Sequence, residues 1–588
     1  MRTFFKMFFA AILALFVFCG VIFLIFTSFL SGIMADDVVK VPAKAVLYID
    51  LSKSFSEKKI QNPLLSLTGN IEDEVPTLYE LTRMIQKAKT DTLVKGIYLK
   101  CSNNANGFAA SEELRNALID FKSKGKFVYA YGDYISEKAY HVANISDKIY
   151  CNPKGMFEWT GMAVEYAYFK NLLQKLEIEP QIFYDGKFKS ATEPFREEKM
   201  SDANRLQTSV WLGDVYQHFL FNTSRSRKVD TSNLRRYANE YLVESPQDAE
   251  RLKLIDGVRY DDEVRDELKK RLKLEDDDKI NFVTPGSYMH AITLMDFGKT
   301  DKIAVVMAEG EIVDGRGEEG QIGSDEYRSL IRKLRYNKDI KAIVLRINSP
   351  GGSSLASEVI WRELYLAKKS GIPIVVSMGD VAASGGYYIA CVADSIFAQP
   401  NTITGSIGVF AMIPNMSSFF KNKLGVTFDR VQTSTYAGSL TITKPLNPQE
   451  KKIIQREVDN IYNDFKMRVA EGRKKDTAYI DSIAQGRVWT GERAVDIGLA
   501  DKIGGIEVAI RSAALLAKLK EKEYNIREYP EPKSPFDLLF GSFSNMNKTR
   551  MMEQELGKEN YELYLQMKRI KDNVGIVQAR LPFEWKWN

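Results

Sequence analysis

Two stretches of this chain repeat one another at a separation of about 246 residues. The first reads VKGIYLKCSNNANGFAASEELRNAL from Val94 and KFVYAYGDYISEKAYHVANISDKIY from Lys126. The second reads IKAIVLRINSPGGSSLASEVIWREL from Ile340 and PIVVSMGDVAASGGYYIACVADSIF from Pro373. Gly132-Asp133 falls on Gly379-Asp380, Asp147 on Asp394, and the LKLID ending at Asp256 on the IGLAD ending at Asp501. Each copy is the size of a domain and too large for a solenoid repeat. The 588 residues are therefore organised around two duplicated units rather than a string of unrelated small domains.

Within each unit short β-branched runs alternate with helical spacing. Ile303 to Met307, Ala342 to Ile347 and Ile374 to Ser377 read as buried strands, and Ser357 to Lys369 as a helix. Such alternation predicts an α/β fold built from parallel β-α units. The organisation expected is an N-terminal segment 1–36, a first domain 37–280, a linker 281–300, a second domain 301–520 and a tail 521–588. The acidic run Leu274 to Lys279 reads as solvated chain ahead of a Pro285-Gly286 turn, not as a calcium loop. Pro530 to Pro535 reads as a linker to a polar tail with one helical stretch near Gln554 to Lys571.

From Met7 to Ala35 there is no Asp, Glu, Lys or Arg, 29 residues where about 20 cross a bilayer. A cleaved signal peptide would carry a shorter apolar run and a small-residue cleavage site, which Gly32-Ile33-Met34-Ala35 does not provide. Arg2 and Lys6 precede the stretch and Asp36 and Asp37 follow it. The positive-inside rule then predicts a retained single-pass anchor in the cytoplasmic membrane, with the bulk of the chain on the extracytoplasmic, periplasmic side.

Charge and cysteine content exclude several classes. With 82 Lys+Arg against 77 Asp+Glu the net charge is only +5, so no basic footprint for nucleic acid is expected. Cys19, Cys101, Cys151 and Cys391 form no CxxC pair, which argues against structural zinc or a disulfide framework. His141, His218 and His290 show no ligand spacing and no nucleophile-and-base pattern, so a histidine base is not expected. No nucleotide loop or dinucleotide fingerprint is present, and no cofactor is expected.

The second copy carries two glycine turns. Asn348-Ser349-Pro350-Gly351-Gly352 follows a strand and precedes a helix, and about thirty residues on so does Asp380-Val381-Ala382-Ala383-Ser384-Gly385-Gly386-Tyr387. Glycines at such turns let backbone N–H groups approach a ligand oxygen, and a serine there directs its hydroxyl into the same space as the N–H of Gly385. Together they offer a nucleophile and an oxyanion hole.

These motifs resemble the Clp-protease and crotonase superfamily. More narrowly, IGSDEY, VLRINSPGGSSLASE, GDVAASGGYYIA and TITGSIGV are similar to those of the signal peptide peptidase A family, in its large membrane-anchored form with duplicated domains. The resemblance spans roughly residues 40 to 520. It implies two tandem Clp/crotonase-like β-α superhelical domains, with Ser384 as nucleophile and Lys189, in Lys189-Ser190-Ala191-Thr192-Glu193-Pro194-Phe195, as general base. It further implies that Ser406 orients that lysine and that Gly385 with Gly351 and Gly352 forms the oxyanion hole. The implied activity is hydrolysis of signal-peptide remnants and other hydrophobic peptides by a cofactor-independent homotetramer.

Residue chemistry bears on the same assignment. A lysine is a useful base only if burial without a carboxylate partner lowers its pKa toward neutrality. Glu193, four residues from Lys189, would then have to point elsewhere, and Lys187 is the neighbouring rival. Ser384 aligns with Glu137, Gly351-Gly352 with Ala105-Asn106, and Lys189 with Ala437, so each half supplies one member of the pair. A crotonase-type acyl-CoA enzyme, a catalytically silent scaffold and a protease of regulatory proteins are the competing readings.

Overall fold

The structure is a computed structural model that describes residues 2–33, 40–59, 71–292, 299–520, 523–531, 557 and 577–581. Apart from residue 557, the tail helix expected near 554–571 lies outside them, as do Asp36 and Asp37. A helix runs over Arg2–Ile33, and Phe8, Leu13, Phe16 and Phe18 on it are exposed. Several of its other side chains lie outside the described residues. Counting described residues alone, no helix is long and apolar enough to cross a membrane.

The first half contributes β1 (Ala45–Asp50), β2 (Val94–Lys100), β3 (Phe127–Ile135), β4 (Lys148–Phe157), β5 (Glu179–Asp185), β6 (Gly257–Val258) and β7 (Phe282–Val283). All except β5 form one parallel sheet in the order β6-β4-β3-β2-β1-β7. Its strands are apolar on both faces because helices cover them. The helix Leu78–Thr90 shows how the sequence directs this. Thr77 and Glu80 close a capping box at its start, and Leu78, Leu81, Met84, Ile85 and Ala88 bury one face.

The second half contributes β8 (Lys302–Glu309), β9 (Glu311–Val313), β10 (Gln321–Gly323), β11 (Ile340–Ser349), β12 (Gly351–Ser353), β13 (Ile374–Ala383), β14 (Ser395–Ala398), β15 (Ile403–Gly405), β16 (Val409–Asn415), β17 (Val488–Thr490), β18 (Lys502–Ile503), β19 (Asn525–Tyr529) and β20 (Gln578–Arg580). Here β18-β14-β13-β11-β8-β19 pair in parallel. That order repeats the first sheet strand for strand, and β15 and β17 extend it past β13.

Two expected boundaries move. The segment 281–300 is not all linker: β7 lies on β1, the helix Pro285–Ala291 follows, and Val283 and Tyr288 are buried in the first core. Likewise the tail beyond 520 begins with β19, which lies on β8. Each unit closes its sheet with a strand added beyond its own first strand. In the first half that strand is only Phe282–Val283, too short a run to register as periodicity.

The halves interlock. Strand β5 leaves the first half and pairs antiparallel with β16 over seven residues, from Val409 opposite Asp185 to Asn415 opposite Glu179. This places it at the end of a third sheet, β10-β9-β12-β20-β16-β5. From β11 the guanidinium of Arg346, wholly buried, reaches Glu57 Oε1 at 2.6 Å and Glu113 Oε1 at 2.7 Å, both on the first half. Burial opposes the arginine's charge, and Glu113 and Glu57 more than offset it. Asp380 Oδ1 accepts the N–H groups of Ala109 (2.8 Å) and Ala110 (3.1 Å) at the start of the helix Phe108–Lys122. The Asp of the repeated Gly-Asp pair is thus an N-terminal helix acceptor across the interface. Removing the cation would strand two buried carboxylates. We expect Arg346→Ala to cost about 3–5 kcal/mol, read as a lowered denaturant midpoint, and an unchanged midpoint would show that the triad does not join the halves.

Candidate active site

Strand β13 ends at Ala383 and the helix Gly385–Ala390 begins one residue later. Ser384 bridges them with φ 56° and ψ −116°. Few residues with a side chain hold such a conformation unless neighbours impose it. Here the Ser384 N–H donates to Gly405 O at 2.8 Å, and its carbonyl accepts the Tyr388 N–H at 2.8 Å. The hydroxyl is wholly buried.

Lys189 follows β5, so the pairing of β5 with β16 carries a first-half residue to the second-half serine. Its Nζ donates to Ser384 Oγ at 2.8 Å and lies 3.2 Å from Ser406 Oγ and 3.3 Å from Ser406 O. Both residues belong to one chain. Lys189 is 1% exposed, and burial holds its amine well below the usual lysine range. Glu193 faces away, its carboxylate accepting from Ser201 Oγ (2.6 Å), Ser201 N (3.2 Å) and Asn204 Nδ2 (2.9 Å). Lys187 is exposed, with its Nζ 5.7 Å from the centre of the Phe188 ring.

Gly351 and Gly352 form β12, the turn leaving β11, and the Gly351 N–H reaches Ser349 Oγ at 3.2 Å. With φ of 97°, Gly351 occupies a region that favours glycine. A Cβ there would fall 2.7 Å from the N of Gly385, so the two turns meet at van der Waals range. Of the residues expected from the sequence, Ser384, Lys189 and Ser406 meet through the lysine amine and Gly385 meets Gly351 next to Ser384, while Gly352 follows Gly351 and lies against Ile312. Chemically the arrangement offers a hydroxyl whose proton has an amine to go to, beside glycine backbone turns suited to receive negative charge on an oxygen.

One residue was not expected. A Cβ on Gly486 (φ 73°) would lie 2.6 Å from both Lys189 Cβ and Lys189 N. Beside it the Phe188 N–H donates to Gln485 O at 2.7 Å. The loop 485–486 therefore seats the lysine, and only the glycine in Gln485-Gly486-Arg487 hinted at this. The first half shows what replaces the site there. Glu137, aligned with Ser384, accepts the N–H groups of Thr160 and Gly161, each at 2.9 Å. Burial, aided by Glu158, raises its carboxyl to about 7. A carboxyl group bound to backbone donors stands at the position that Ser384 takes in the second half.

The chain matches Peptidase family S49 over residues 120–275 and 366–520, one match in each half. It is 35% identical over 527 residues to Protease 4 of Salmonella typhi, covering 87% of this chain and 84% of that protein. It is 34% identical over 471 residues to Protease 4 of Haemophilus influenzae, covering 78% and 76% respectively. A third relative, the chloroplastic serine protease SPPA of Arabidopsis thaliana, is 32% identical over 500 residues, covering 82% and 73%. Fold, site and relatives together define a serine peptidase. The chain belongs to Peptidase family S49, in its SppA-type form. This membership sets aside the acyl-CoA enzyme and the silent scaffold.

The buried amine has a consequence for stability. Its folded pKa lies below the unfolded value, so between the two the unfolded chain binds the extra proton and the site destabilises the fold. Lys189→Met, which removes the titrating amine, should therefore stabilise the protein. The gain should be largest below the depressed pKa and fade as pH approaches the usual lysine value near 10.5. Denaturation at several pH values measures this, and a destabilised Met variant would contradict it.

Proposed function

We propose that this peptidase is a membrane-bound endopeptidase that degrades cleaved signal peptides and other hydrophobic peptides through a Ser384/Lys189 acyl-enzyme mechanism. The observation that carries the reading is the 2.8 Å approach of a buried Lys189 Nζ to Ser384 Oγ, with no acidic group paired to that amine among the described residues.

The positions of the groups support the following steps. Neutral Lys189 accepts the Ser384 proton as Oγ attacks the carbonyl carbon of the scissile bond. Charge developing on the carbonyl oxygen meets the backbone N–H groups of Gly385 and the Gly351-Gly352 turn. Protonated Lys189 then passes its proton to the departing amine, and water, activated by the same lysine, hydrolyses the ester. Ser406, within reach of Nζ, keeps the amine directed at Ser384. No cofactor is needed for these steps. The signal-peptide substrate class and a homotetrameric assembly rest on the family resemblance of the motifs.

The pH dependence has a definite sign. Activity requires the unprotonated amine, so the rate should rise with pH through the depressed pKa of Lys189 and level off above it. Ser384→Ala should abolish hydrolysis without unfolding the protein. Lys189→Arg should fall by more than about 10²-fold, because the guanidinium stays protonated. Measured rates of hydrolysis of an apolar peptide across pH check all three. An active Arg variant with the wild-type profile would move the role of base elsewhere.

Membrane attachment is supported by the uncharged stretch Met7 to Ala35, preceded by Arg2 and Lys6. We expect external protease on intact spheroplasts to digest the bulk of the chain and leave an N-terminal tag protected. Protection of the bulk would reverse the orientation.

A further inference from the structure

The seat of Lys189 is itself held from behind. Gln485, Gly486 and Arg487 form a strap across the turns that carry Lys189 and Ser406. On one side Gln485 O accepts the Phe188 N–H at 2.7 Å, and its side-chain Oε1 accepts the Lys187 N–H at 3.3 Å. On the other, the Gly486 N–H donates to Ile407 O at 2.8 Å, and Arg487 O accepts the Ser406 N–H at 2.7 Å. Both sides need close approach: a Cβ on Gly186 would fall 2.7 Å from Gln485 C, and one on Gly408 would fall 2.8 Å from Gly486 Cα. Three residues thus fix the lysine and the serine that orients it.

The strap is strained, and a phenol holds it. Gln485 has φ 52°, a left-handed conformation that costs a residue with a side chain unless its surroundings impose it. Its N–H donates to the Tyr462 hydroxyl at 3.1 Å. Tyr462 lies on the helix Pro448–Arg473, whose face Val458, Tyr462, Phe465 and Val469 is buried. The hydroxyl also faces Asp481 Oδ1, on the helix Thr477–Ile483, at 3.4 Å, and Lys466 Nζ holds that oxygen at 2.7 Å. Burial raises the phenol's pKa, as do Asp481 and Asp185, and together they outweigh the Gln485 N–H, so the group stays an O–H. An O–H turned toward a carboxylate is the better acceptor for the Gln485 N–H. The first half keeps the tyrosine without these partners. Tyr216 stands at the same place in the matching helix Asp202–Arg227, but Arg235 is found where Asp481 stands and Glu240 where Gly486 stands.

We infer that Tyr462 is a positioning residue of this peptidase, holding the strap 485–487 so that Lys189 Nζ meets Ser384 Oγ away from water. This rests on the Ser384/Lys189 reading above. Without the hydroxyl, the Gln485 N–H loses its acceptor and the left-handed backbone its support. Gly486 then withdraws from Lys189, and water reaches the amine. Asp481, Lys466 and Asp185 are the charged groups that bear on the phenol. The lowered pKa of the Lys189 amine has burial as its one cause, so an amine returned to water holds its proton to higher pH. Tyr462 touches neither Lys189 nor Ser384; it acts on both through the strap.

Hydrolysis of a fluorogenic apolar peptide amide by the full chain, followed across pH, tests this with Tyr462→Phe, which keeps the ring and removes only the hydroxyl. We expect kcat to fall by about 10²-fold, as a small misplacement of a reacting group costs. KM should change little, because the phenol is 2% exposed and lies behind the strap. The midpoint of the pH–rate profile should move to higher pH. Glycine takes φ 52° without help, so the double variant Tyr462→Phe/Gln485→Gly should regain the wild-type profile and most of kcat. It is read in the same assay whether or not the single variant folds. A Tyr462→Phe enzyme with the wild-type kcat would overturn the inference, as would a lowered kcat with an unmoved profile, which marks support of the fold alone. A double variant that stays displaced would equally overturn it. In each of these cases an inactive Lys189→Arg leaves the Ser384/Lys189 reading standing, whereas an active Lys189→Arg with the wild-type profile would overturn both.

Discussion

A buried amine with no counter-charge among the described residues is held against a serine by two strands that come from different halves of a duplicated chain. Everything else about the site depends on that placement. Lys189 has no reason of its own to leave water: the transfer costs free energy that no carboxylate among the described residues returns. The antiparallel pairing of β5 with β16 imposes it, and Gly486 leaves the space that the lysine backbone occupies. The buried Arg346 triad and the Asp380 contact to the opposite helix fix the two units around that crossing. The fold is strained where the chemistry is and satisfied around it, since Ser384 also holds an unfavourable backbone conformation.

The duplication explains why this division is possible. Both units build the same parallel sheet, so each inherits a turn after its third strand where a nucleophile can stand. In the second unit that turn carries Ser384. In the first it carries Glu137, whose carboxylate is bound by two backbone N–H groups and cannot serve as a serine would. With a backbone-bound carboxyl group at that turn, the first unit instead brings Lys189 against the Ser384 of the second. The halves have become complementary parts of one site.

Much of this was legible in the amino-acid sequence, for physical reasons. Strand runs such as Ala342 to Ile347 and the glycines at 351–352 and 385 announce themselves because burial on both faces and close backbone approach restrict residue choice. Lys189 was found through its motif, KSATEPF. Periodicity alone could not have paired it with a serine 195 positions away. What the sequence concealed were features set by tertiary partners. Phe282–Val283 is too short to read as a strand without β1 beside it. Gly486 is one glycine among 38 until Lys189 lies against it. Strand β20 reads as part of a polar tail, because its ladder partners, β12 and β16, are more than 160 residues upstream. The direction of the Glu193 carboxylate likewise depends on Ser201 and Asn204.

The central claim is that Lys189 is an unprotonated amine at working pH because of where the two halves hold it. It can be tested without reference to turnover by following the Nζ resonance of labelled lysine through a pH titration, with Lys189→Met assigning the signal. We expect a midpoint well below the usual lysine value near 10.5 and a neutral amine at pH values where the enzyme works. A Lys189 amine that stays protonated up to the usual value would contradict the account, because the group nearest the Ser384 hydroxyl would then have no capacity to take its proton.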